Sequence, residues 1–409
     1  MAWLSGFDYR KKITITAATD AGTNYQVKFL IGKASGATGE DFDLGGHCLD
    51  TFADIRFTSS DEETELKYWI EKVETSGTSK LATVWVKVSA DLSTNNQDIY
   101  CYYGKADATT TSDGENTFLL FDDFDGTSLD TTNRWDIISE YGISVGDGKL
   151  RMSSYSGNYT MVRSKNSYGY DVAVRVYKLD SGSDSAGFYN GISFVGANDT
   201  IGYTTTYLSA SSKFYNGYKK AGSDSGVVYQ SNHGLSPYPQ AFVAEMKRFD
   251  GKVSSLVNDS VTATYTNTTY IPTVSLNCQL LCASNIKSPL WHDIYWALIR
   301  KCVETEPDFS SAGSEETVPT TTPTVTTQAV DEITATTGDG NGNITDTGGA
   351  DVTERGFVYD TTSRTDPGNT SPAASDYTYV KNETGTYGTG TFSLTITGLD
   401  NATKYYVRA

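Results

Sequence analysis

The stretch Val172-Ala173-Val174-Arg175-Val176-Tyr177 places an apolar β-branched residue at every second position. The same alternation of apolar and other residues recurs at residues 25–31, 84–88 and 242–246. Because successive side chains of a β-strand point to opposite faces of the sheet, a period of two predicts strands with one buried face. The chain is therefore predicted to be all-β, built from tandem antiparallel β-sandwiches.

Composition and charge agree with this class and limit the partners. The 409 residues include 38 Gly, 28 Tyr and 16 Phe, and only 20% are charged, so strand and turn formers dominate. The net charge of −18 repels phosphate backbones and anionic lipids, which argues against nucleic-acid and membrane-surface partners. The chain has no run of about eighteen apolar residues, so no membrane insertion is predicted. Residues 1–6 lack the basic and apolar pattern of a signal peptide.

Turn-rich and polar segments divide the chain into a predicted series of domains. Residues 1–117 are predicted to form a first sandwich, and residues 118–312 a larger domain of jelly-roll size. The Thr- and Pro-rich residues 313–327 are predicted to be a linker. Residues 328–409 are predicted to form a small third sandwich that lacks its last strand, so we expect the natural chain to continue beyond its last residue.

Four dipeptides in the second domain are predicted hairpin turns. They are Asp147-Gly148, Asn190-Gly191, Asn216-Gly217 and Asp250-Gly251. Each tolerates the positive φ angles of a type I′ turn. Their number predicts a strand-dense sheet.

Few residues suggest nucleophilic or zinc chemistry. The five cysteines are scattered, which predicts buried thiols in a chain folded under reducing conditions rather than a disulfide scaffold. The three histidines lie in unrelated contexts, so no nucleophile triad is predicted. Cys278 and Cys282, with His292 and Cys302, come nearest to a zinc set. The apolar residues between the first two cysteines favour an ordinary core strand instead.

Tyrosines are concentrated in the second domain. Residues 155–238 contain twelve of the 28 tyrosines, and Phe-Tyr-Asn-Gly occurs twice, at residues 188–191 and 214–217. Aromatic rings stack on the apolar face of a pyranose, and amides at the rim bind its hydroxyls. The candidate glycan-binding residues are Tyr189, Asn190, Tyr207, Tyr215, Asn216, Tyr218 and Tyr229. The alternative is that these tyrosines are cross-strand packing partners.

Three segments resemble known families. The first 117 residues resemble the domain of unknown function DUF2341, through Trp3-Leu4-Ser5-Gly6-Phe7-Asp8-Tyr9-Arg10-Lys11-Lys12-Ile13-Thr14-Ile15 and Ile99-Tyr100-Cys101-Tyr102-Tyr103-Gly104-Lys105. The second domain looks like a concanavalin A-like, laminin-G-like jelly roll, through Phe121-Asp122-Asp123-Phe124, Trp135 and His292-Asp293-Ile294-Tyr295-Trp296. The third is similar to fibronectin type III-like modules, through Gly398-Leu399-Asp400-Asn401-Ala402-Thr403-Lys404-Tyr405-Tyr406-Val407-Arg408-Ala409.

The jelly-roll resemblance has consequences for chemistry. Such jelly rolls are lectins, other binding modules or glycosidases, and fold alone does not decide among them. Laminarinase-like glycosidases carry Glu-x-Asp-x-x-Glu or a shorter relative on one strand. The second domain lacks this motif and offers Glu245 alone, so no catalytic residue and no enzyme activity is predicted. The resemblance also implies a structural Ca²⁺ held by Asp122 or Asp123 and by Asp293, with no other cofactor required.

Three functions follow as hypotheses. The leading one is a non-enzymatic modular surface protein, extracellular or on a virion surface, that binds a glycan or cell-surface polysaccharide. A viral fibre or appendage component and a cell-surface adhesin both fit it. The second hypothesis is a structural spacer or a self-assembling filament subunit. The third is a glycoside hydrolase of the laminarinase-like type, which requires a pair of carboxylates.

Overall fold

The computed structural model describes residues 3–180, 188–196, 201–208, 213–220, 223–229, 241–266, 271, 274–284, 290–368 and 370–409. Only the backbone is described at residues 188–190, 201–208, 213–220 and 223–229, and at positions 180, 262, 263, 265 and 284. The chain divides into two compact units, residues 1–316 and 317–409. Nearly all regular structure is β-strand in antiparallel sheets, which confirms the predicted all-β class.

The first sandwich is built from two sheets, and the alternating apolar residues of the sequence form its core. Ile13, Val27, Phe29 and Val84 are fully buried between the sheets. Its strands within the first hundred residues are β1 (Tyr9–Thr16), β2 (Tyr25–Gly32), β3 (Phe42–Asp43), β4 (Arg56–Thr58), β5 (Glu65–Leu66), β6 (Tyr68–Ser76), β7 (Ser79–Val88) and β8 (Gln97–Tyr103). One sheet has the order β3-β2-β7-β6.

The jelly roll follows a single helical turn, α1 (Gly114–Thr117), which Asp113 caps by accepting a hydrogen bond from the backbone of Asn116. Its strands are β9 (Leu120–Asp122), β10 (Trp135–Ser139), β11 (Gly142–Val145), β12 (Leu150–Ser154), β13 (Tyr159–Tyr168), β14 (Val172–Asp180), β15 (Phe188–Val195), β16 (Ile201–Leu208), β17 (Lys213–Lys220), β18 (Ser223–Tyr229), β19 (Ala241–Phe249), β20 (Lys252–Val257), β21 (Ser260–Thr266), β22 (Leu276–Ser284) and β23 (Leu290–Lys301).

These strands form two facing sheets. The seven-stranded sheet has the order β10-β13-β22-β15-β16-β17-β18, and the eight-stranded sheet has the order β11-β12-β23-β14-β19-β20-β21, with β9 paired to β23. Trp135, Val174, Phe194, Leu280 and Ile299 are buried between them. The two sheets enclose one continuous apolar core, as in a jelly roll.

The strand after the jelly roll, β24 (Asp308–Thr317), joins the first sandwich and completes its second sheet, of order β24-β1-β8-β4-β5. Phe309 stacks on Phe42 with ring centroids 5.8 Å apart, and Tyr103 donates to Glu315 over 2.7 Å. The predicted boundaries are wrong here, because residues 308–312 do not belong to the jelly roll and residues 313–317 are not a linker. An edge strand needs few buried side chains, so its polar sequence resembles a linker.

Two of the four predicted hairpin turns are turns. Asp147-Gly148 and Asp250-Gly251 have positive φ at both positions. Asn190-Gly191 and Asn216-Gly217 lie instead inside β15 and β17, so the turn prediction for them is wrong. Each of these two asparagines pairs with a strand on both sides, Asn190 with Tyr207 and Cys282, for example. Ladder hydrogen bonds on two sides outweigh the local turn preference of the dipeptide.

The second unit is a small sandwich of two three-stranded sheets, β25-β26-β29 and β28-β27-β30. Phe357, Phe392 and Ile396 are buried between them. Its elements are β25 (Thr324–Asp331), β26 (Thr337–Asp346), β27 (Val352–Asp360), a 3₁₀ turn (Pro372–Ala374), β28 (Tyr379–Tyr387), β29 (Gly390–Thr397) and β30 (Tyr406–Arg408). The backbone N–H of Asp400 donates to the Tyr405 hydroxyl over 3.2 Å.

Within the described parts of the chain, no helix combines the length and the apolar character that a membrane crossing requires.

Candidate functional site

The two sheets of the jelly roll differ in what lies on their outer faces. Part of the outer face of the eight-stranded sheet is covered by the first sandwich, where Trp69 contacts Trp296 with ring centroids 5.3 Å apart. Leu298 on the same face is fully buried. The candidate ligand surface is therefore the outer face of the seven-stranded sheet.

Strand register defines the outer face of that sheet. Val162, Leu280 and Ile192 pair across β13, β22 and β15 and lie in the core. The neighbouring row, Arg163, Gln279 and Ser193, therefore faces outward, and we call it the polar row. Arg163 donates to the Gln279 side-chain oxygen over 3.1 Å. The buried Ser193 hydroxyl has no hydrogen-bond partner among the described residues.

An apolar surface lies beside the polar row. Tyr159 is two strand positions from Met161 and four from Arg163, so the three share the outer face. Tyr159 is 48% exposed, and Met161 pairs with Leu281 on the next strand. Lys165 and Asp136 form an ion pair of 2.6 Å on the adjacent strands. The exposed ring and the hydrogen-bonding side chains lie on one face about 13 Å apart by strand rise, so a sugar ligand that contacts both must extend along the strand.

The predicted glycan-binding residues lie in the same sheet, in β15–β18, but on two different faces by register. Tyr189, Tyr215 and Tyr229 occupy positions of the outer face, because Tyr215 and Tyr229 pair with each other and are in one row with Gly191. The other four occupy rows that include a buried core residue: Asn216 is in the row of Ile192, Tyr218 in the row of Phe194, and Asn190 and Tyr207 in the row of Cys282. All seven side chains lie outside the described residues.

Carboxylates are sparse on this sheet. Its seven described strands contain two, Asp136 on β10 and Asp224 on β18. These are the two edge strands, so six strand spacings of ~4.8 Å separate them, about 29 Å along the sheet. Glycosidase carboxylates lie roughly 5 to 9.5 Å apart. The strands themselves do not supply a catalytic pair.

Glu245 lies on the covered sheet and is held by two arginines. It accepts hydrogen bonds from Arg175 over 2.8 Å and from Arg300 over 3.0 and 2.5 Å. Burial raises the pKa of the Glu245 carboxyl, but the charges of Arg300 and Arg175 outweigh burial and hold that pKa below its ordinary value. A general acid needs the opposite shift, so this environment suits a structural ion pair.

The three candidate calcium ligands are not brought together. Asp122 is buried, accepts from Trp135 Nε1 over 2.7 Å and pairs in register with Ala297. Burial raises the pKa of this carboxyl. Asp123 is exposed. Asp293 lies four residues before Ala297 on β23, about 13 Å from it by strand rise.

Asp293 has its own cationic partners. Arg151 binds it through two hydrogen bonds of 2.6 and 2.7 Å, and Lys149 lies 3.1 Å away. Arginine and lysine thus occupy the oxygens that the calcium prediction required. Among the described residues, no group of three or more His, Cys, Asp or Glu side chains could hold a metal ion.

The cysteines are core residues. All five are buried, as the spacing predicted. Cys278 and Cys282 belong to the jelly-roll core. Burial raises the pKa of the Cys302 thiol to about 12, which makes it a poor nucleophile.

Sequence reasoning missed three residues of the outer face, Tyr159, Arg163 and Gln279. Tyr159 lies in the tyrosine-rich stretch, but nothing local distinguished it from its neighbours. The alternation of β13, with Val162 inward and Met161 and Arg163 outward, was the available signal. The pairing of β13 with β22, which brings Gln279 to Arg163, is visible only in the fold.

Comparisons with known proteins support part of this picture. The family model described as "Domain of unknown function (DUF2341)" matches residues 51–138. Uncharacterized protein MJ1472 of Methanocaldococcus jannaschii is 24% identical over 212 residues, which are 49% of this chain and 36% of that protein. The chain thus spans about a third of the length of that curated relative.

Solved structures similar to this chain include carbohydrate-active enzymes. A Bacillus licheniformis β-glucanase is 16% identical, with 44% of this chain and 97% of that chain covered and a TM-score of 0.37. The laminarinase catalytic domain of Thermotoga maritima is 12% identical, with 45% and 97% covered and a TM-score of 0.38. Sequence identities and TM-scores at this level do not indicate the function of this chain. The family match confirms the resemblance to DUF2341 for residues 51–138.

Proposed function

We propose that this protein is a non-enzymatic, modular surface protein whose jelly roll binds glycan on the outer face of its seven-stranded sheet. One observation carries the proposal: the exposed ring of Tyr159 lies on the same face as the hydrogen-bonded Arg163 and Gln279. The ring offers a stacking surface for a sugar, and the half-buried Arg163 guanidinium on the same face offers donors for its hydroxyls, while buried Gln279 holds that guanidinium through its side-chain oxygen.

The register of the sheet supports an extended ligand. Tyr189, Tyr215 and Tyr229 occupy outer-face positions further along the sheet from Tyr159. Neighbouring strands are ~4.8 Å apart, so a ligand that crosses several strands must be a chain of sugars rather than one residue. Each stacking contact is weak, and several copies displayed on one surface multiply the affinity.

The proposal also covers where the protein is located and which kind of module the second unit is. Placement outside the cell or on a virion, as an adhesin or a fibre component, would give such copies access to polysaccharide. The three-on-three sandwich of residues 324–409 and the hydrogen bond from Asp400 to Tyr405 support a fibronectin type III-like module. A tyrosine hydroxyl that binds backbone upstream of its strand is a feature of immunoglobulin-like sandwiches.

Self-assembly is the second candidate, and one observation favours it. Strand β10 is an edge strand, and its Ile137 and Ile138 are 38% and 42% exposed. An apolar edge with unpaired backbone groups is suited to pairing with another strand. Concentration-dependent mass growth in light scattering, without any response to sugars, would favour this function over glycan binding.

Affinity electrophoresis of the full chain tests the proposal. A panel of soluble β-glucans, mannans, galactans and mucin glycans is cast into native gels, and we expect retardation by at least one. Tyr159→Ala should weaken that binding about tenfold, because an aromatic contact contributes roughly 1–1.5 kcal/mol. Tyr379→Ala is the matched control, since Tyr379 is similarly exposed, at 45%, in the second unit.

Two results would overturn the proposal. One is migration of the wild type that no polysaccharide changes. The other is retardation that Tyr159→Ala leaves intact. Release of reducing ends from a retarding polysaccharide would retire the non-enzymatic part and restore the glycosidase hypothesis.

A further inference from the structure

The path of the chain joins the two sandwiches of the first unit twice. The jelly roll is inserted between β8 and β24, both of which belong to the first sandwich. Its first and last strands, β9 and β23, pair with each other, so the chain enters and leaves at one place. The first sandwich is therefore complete only after the chain has passed through the jelly roll.

Aromatic rings fill the contact between the two sandwiches. Trp69 and Trp85, on β6 and β7, face the jelly roll. Trp69 lies 4.9 Å from Phe121 and 5.3 Å from Trp296, centroid to centroid, and Trp85 lies 6.0 Å from Phe118. Large aromatic residues packed in this way are typical of stable protein interfaces.

Buried charges at the same contact are shared between the two sandwiches. Arg175 of the jelly roll binds Glu71 of the first sandwich over 2.9 Å and Glu245 of its own sheet over 2.8 Å. Arg300 binds Glu245 as well. Trp85 donates from Nε1 to Glu71 over 2.7 Å, and its ring lies 5.6 and 5.0 Å from the two guanidinium carbons.

The fully buried charges balance only when both sandwiches are present. Arg175, Arg300, Glu71 and Glu245 are each at most 3% exposed, which makes two buried cations and two buried anions. The jelly roll supplies both cations but only one of these anions, and Glu71 supplies the other. Without Glu71, Arg175 keeps the half-exposed Asp259 at 2.6 Å and Glu245, which it shares with Arg300, so a buried guanidinium loses one of its three carboxylates.

A second contact lies on β2. The side chain of Gln26 accepts from the backbone of Lys301 and donates to the carbonyl of Thr117, both over 3.0 Å. Lys28 lies 3.3 Å from Asp259. The first sandwich thus binds both the entry and the exit of the jelly roll.

We propose that the DUF2341 segment acts as a clamp, in which Trp69, Glu71 and Trp85 form a docking face that fits the eight-stranded sheet of a jelly roll. The matched residues 51–138 contain all three, and they continue through Phe118 and Phe121 into β10. The matched segment therefore covers the junction of two sandwiches rather than one domain. The clamp makes the two unfold together and holds the seven-stranded sheet facing away from it.

Calorimetry of the full chain tests the clamp. We expect one transition for residues 1–316 and a separate one for the second unit. Glu71→Gln removes the shared negative charge with little change of shape, and it should lower the first transition by several degrees and split it in two. Glu74→Gln is the matched control, because Glu74 lies exposed on the same strand and pairs with Lys72 over 2.8 Å at the surface. It should leave the transition unchanged.

Hydrogen exchange provides a second readout and does not depend on full unfolding. Amides of β14 and β23 should exchange at least tenfold faster in Glu71→Gln, while those of β13 and β22 should change less. Adding Arg175→Met to Glu71→Gln should cost less than the sum of the two single changes, because both remove the same ion pair. Independent transitions of the two sandwiches in the wild type, or a Glu71→Gln protein with unchanged transition and exchange, would overturn the proposal.

Discussion

Removal of Glu245 should destabilise the first unit strongly, because this one carboxylate serves two buried arginines. Its oxygens accept three hydrogen bonds, one from Arg175 and two from Arg300. All three side chains are at most 2% exposed. Glu245→Ala therefore leaves two guanidinium groups with a lost partner and with no access to water.

The magnitude follows from the partners that remain. Removing one member of a buried ion pair costs about 3–5 kcal/mol. Arg175 keeps Glu71 and Asp259, and Arg300 keeps Glu306, so the lower end applies. A loss of about 3 kcal/mol in the free energy of unfolding lowers the ratio of native to unfolded protein roughly a hundredfold.

Urea denaturation followed by tryptophan fluorescence measures this loss, since Trp85 lies against both arginines. Urea carries no charge and so does not screen the ion pairs. The companion variant combines Glu245→Leu, Arg175→Met and Arg300→Met with Glu71→Gln, because buried Glu71 would otherwise lose Arg175. It should cost less than Glu245→Ala, because the four buried charges are then removed together. A Glu245→Ala loss below about 1 kcal/mol would refute the reasoning.

Two further predictions concern the stability of the first unit at acid pH and the hydrogen bond of Trp135 near the start of the jelly roll. Burial raises the pKa of the Glu306 carboxyl, but the charges of Arg300 and Lys247 outweigh burial and hold that pKa at about 2. The stability that this carboxyl contributes is complete above its ordinary pKa of 4.5 and should disappear as the pH falls toward 2. Urea midpoints measured at pH 7, 4.5, 3 and 2 test this. Midpoints that do not change with pH would contradict it. Trp135→Phe removes the hydrogen bond to buried Asp122 and should lower the free energy of unfolding by about 3 kcal/mol in the same urea assay. An unchanged urea midpoint would contradict this.

The sequence carried the fold class because its evidence is local. In Val172-Ala173-Val174-Arg175-Val176-Tyr177, the period of two is a property of one strand and needs no partner to be visible. Val174 and Val176 are indeed fully buried, and Ala173, on the opposite face, is buried as well. The turns at Asp147-Gly148 and Asp250-Gly251 were predictable for the same reason, since a type I′ turn depends on two adjacent residues.

The tertiary structure decided everything that depends on which strands become neighbours. Asn190-Gly191 has the sequence of a turn but lies within a strand because two neighbouring strands pair with it. Arg175 reads as one outward residue of an alternating strand, yet it is buried against Glu71, 104 residues away. Contacts across such separations are fixed by the pairing of sheets and sandwiches, which no local pattern encodes. The alternation of apolar residues along the chain therefore determined that it folds into sandwiches, and the packing of one sandwich on another determined which faces of the sheets are covered.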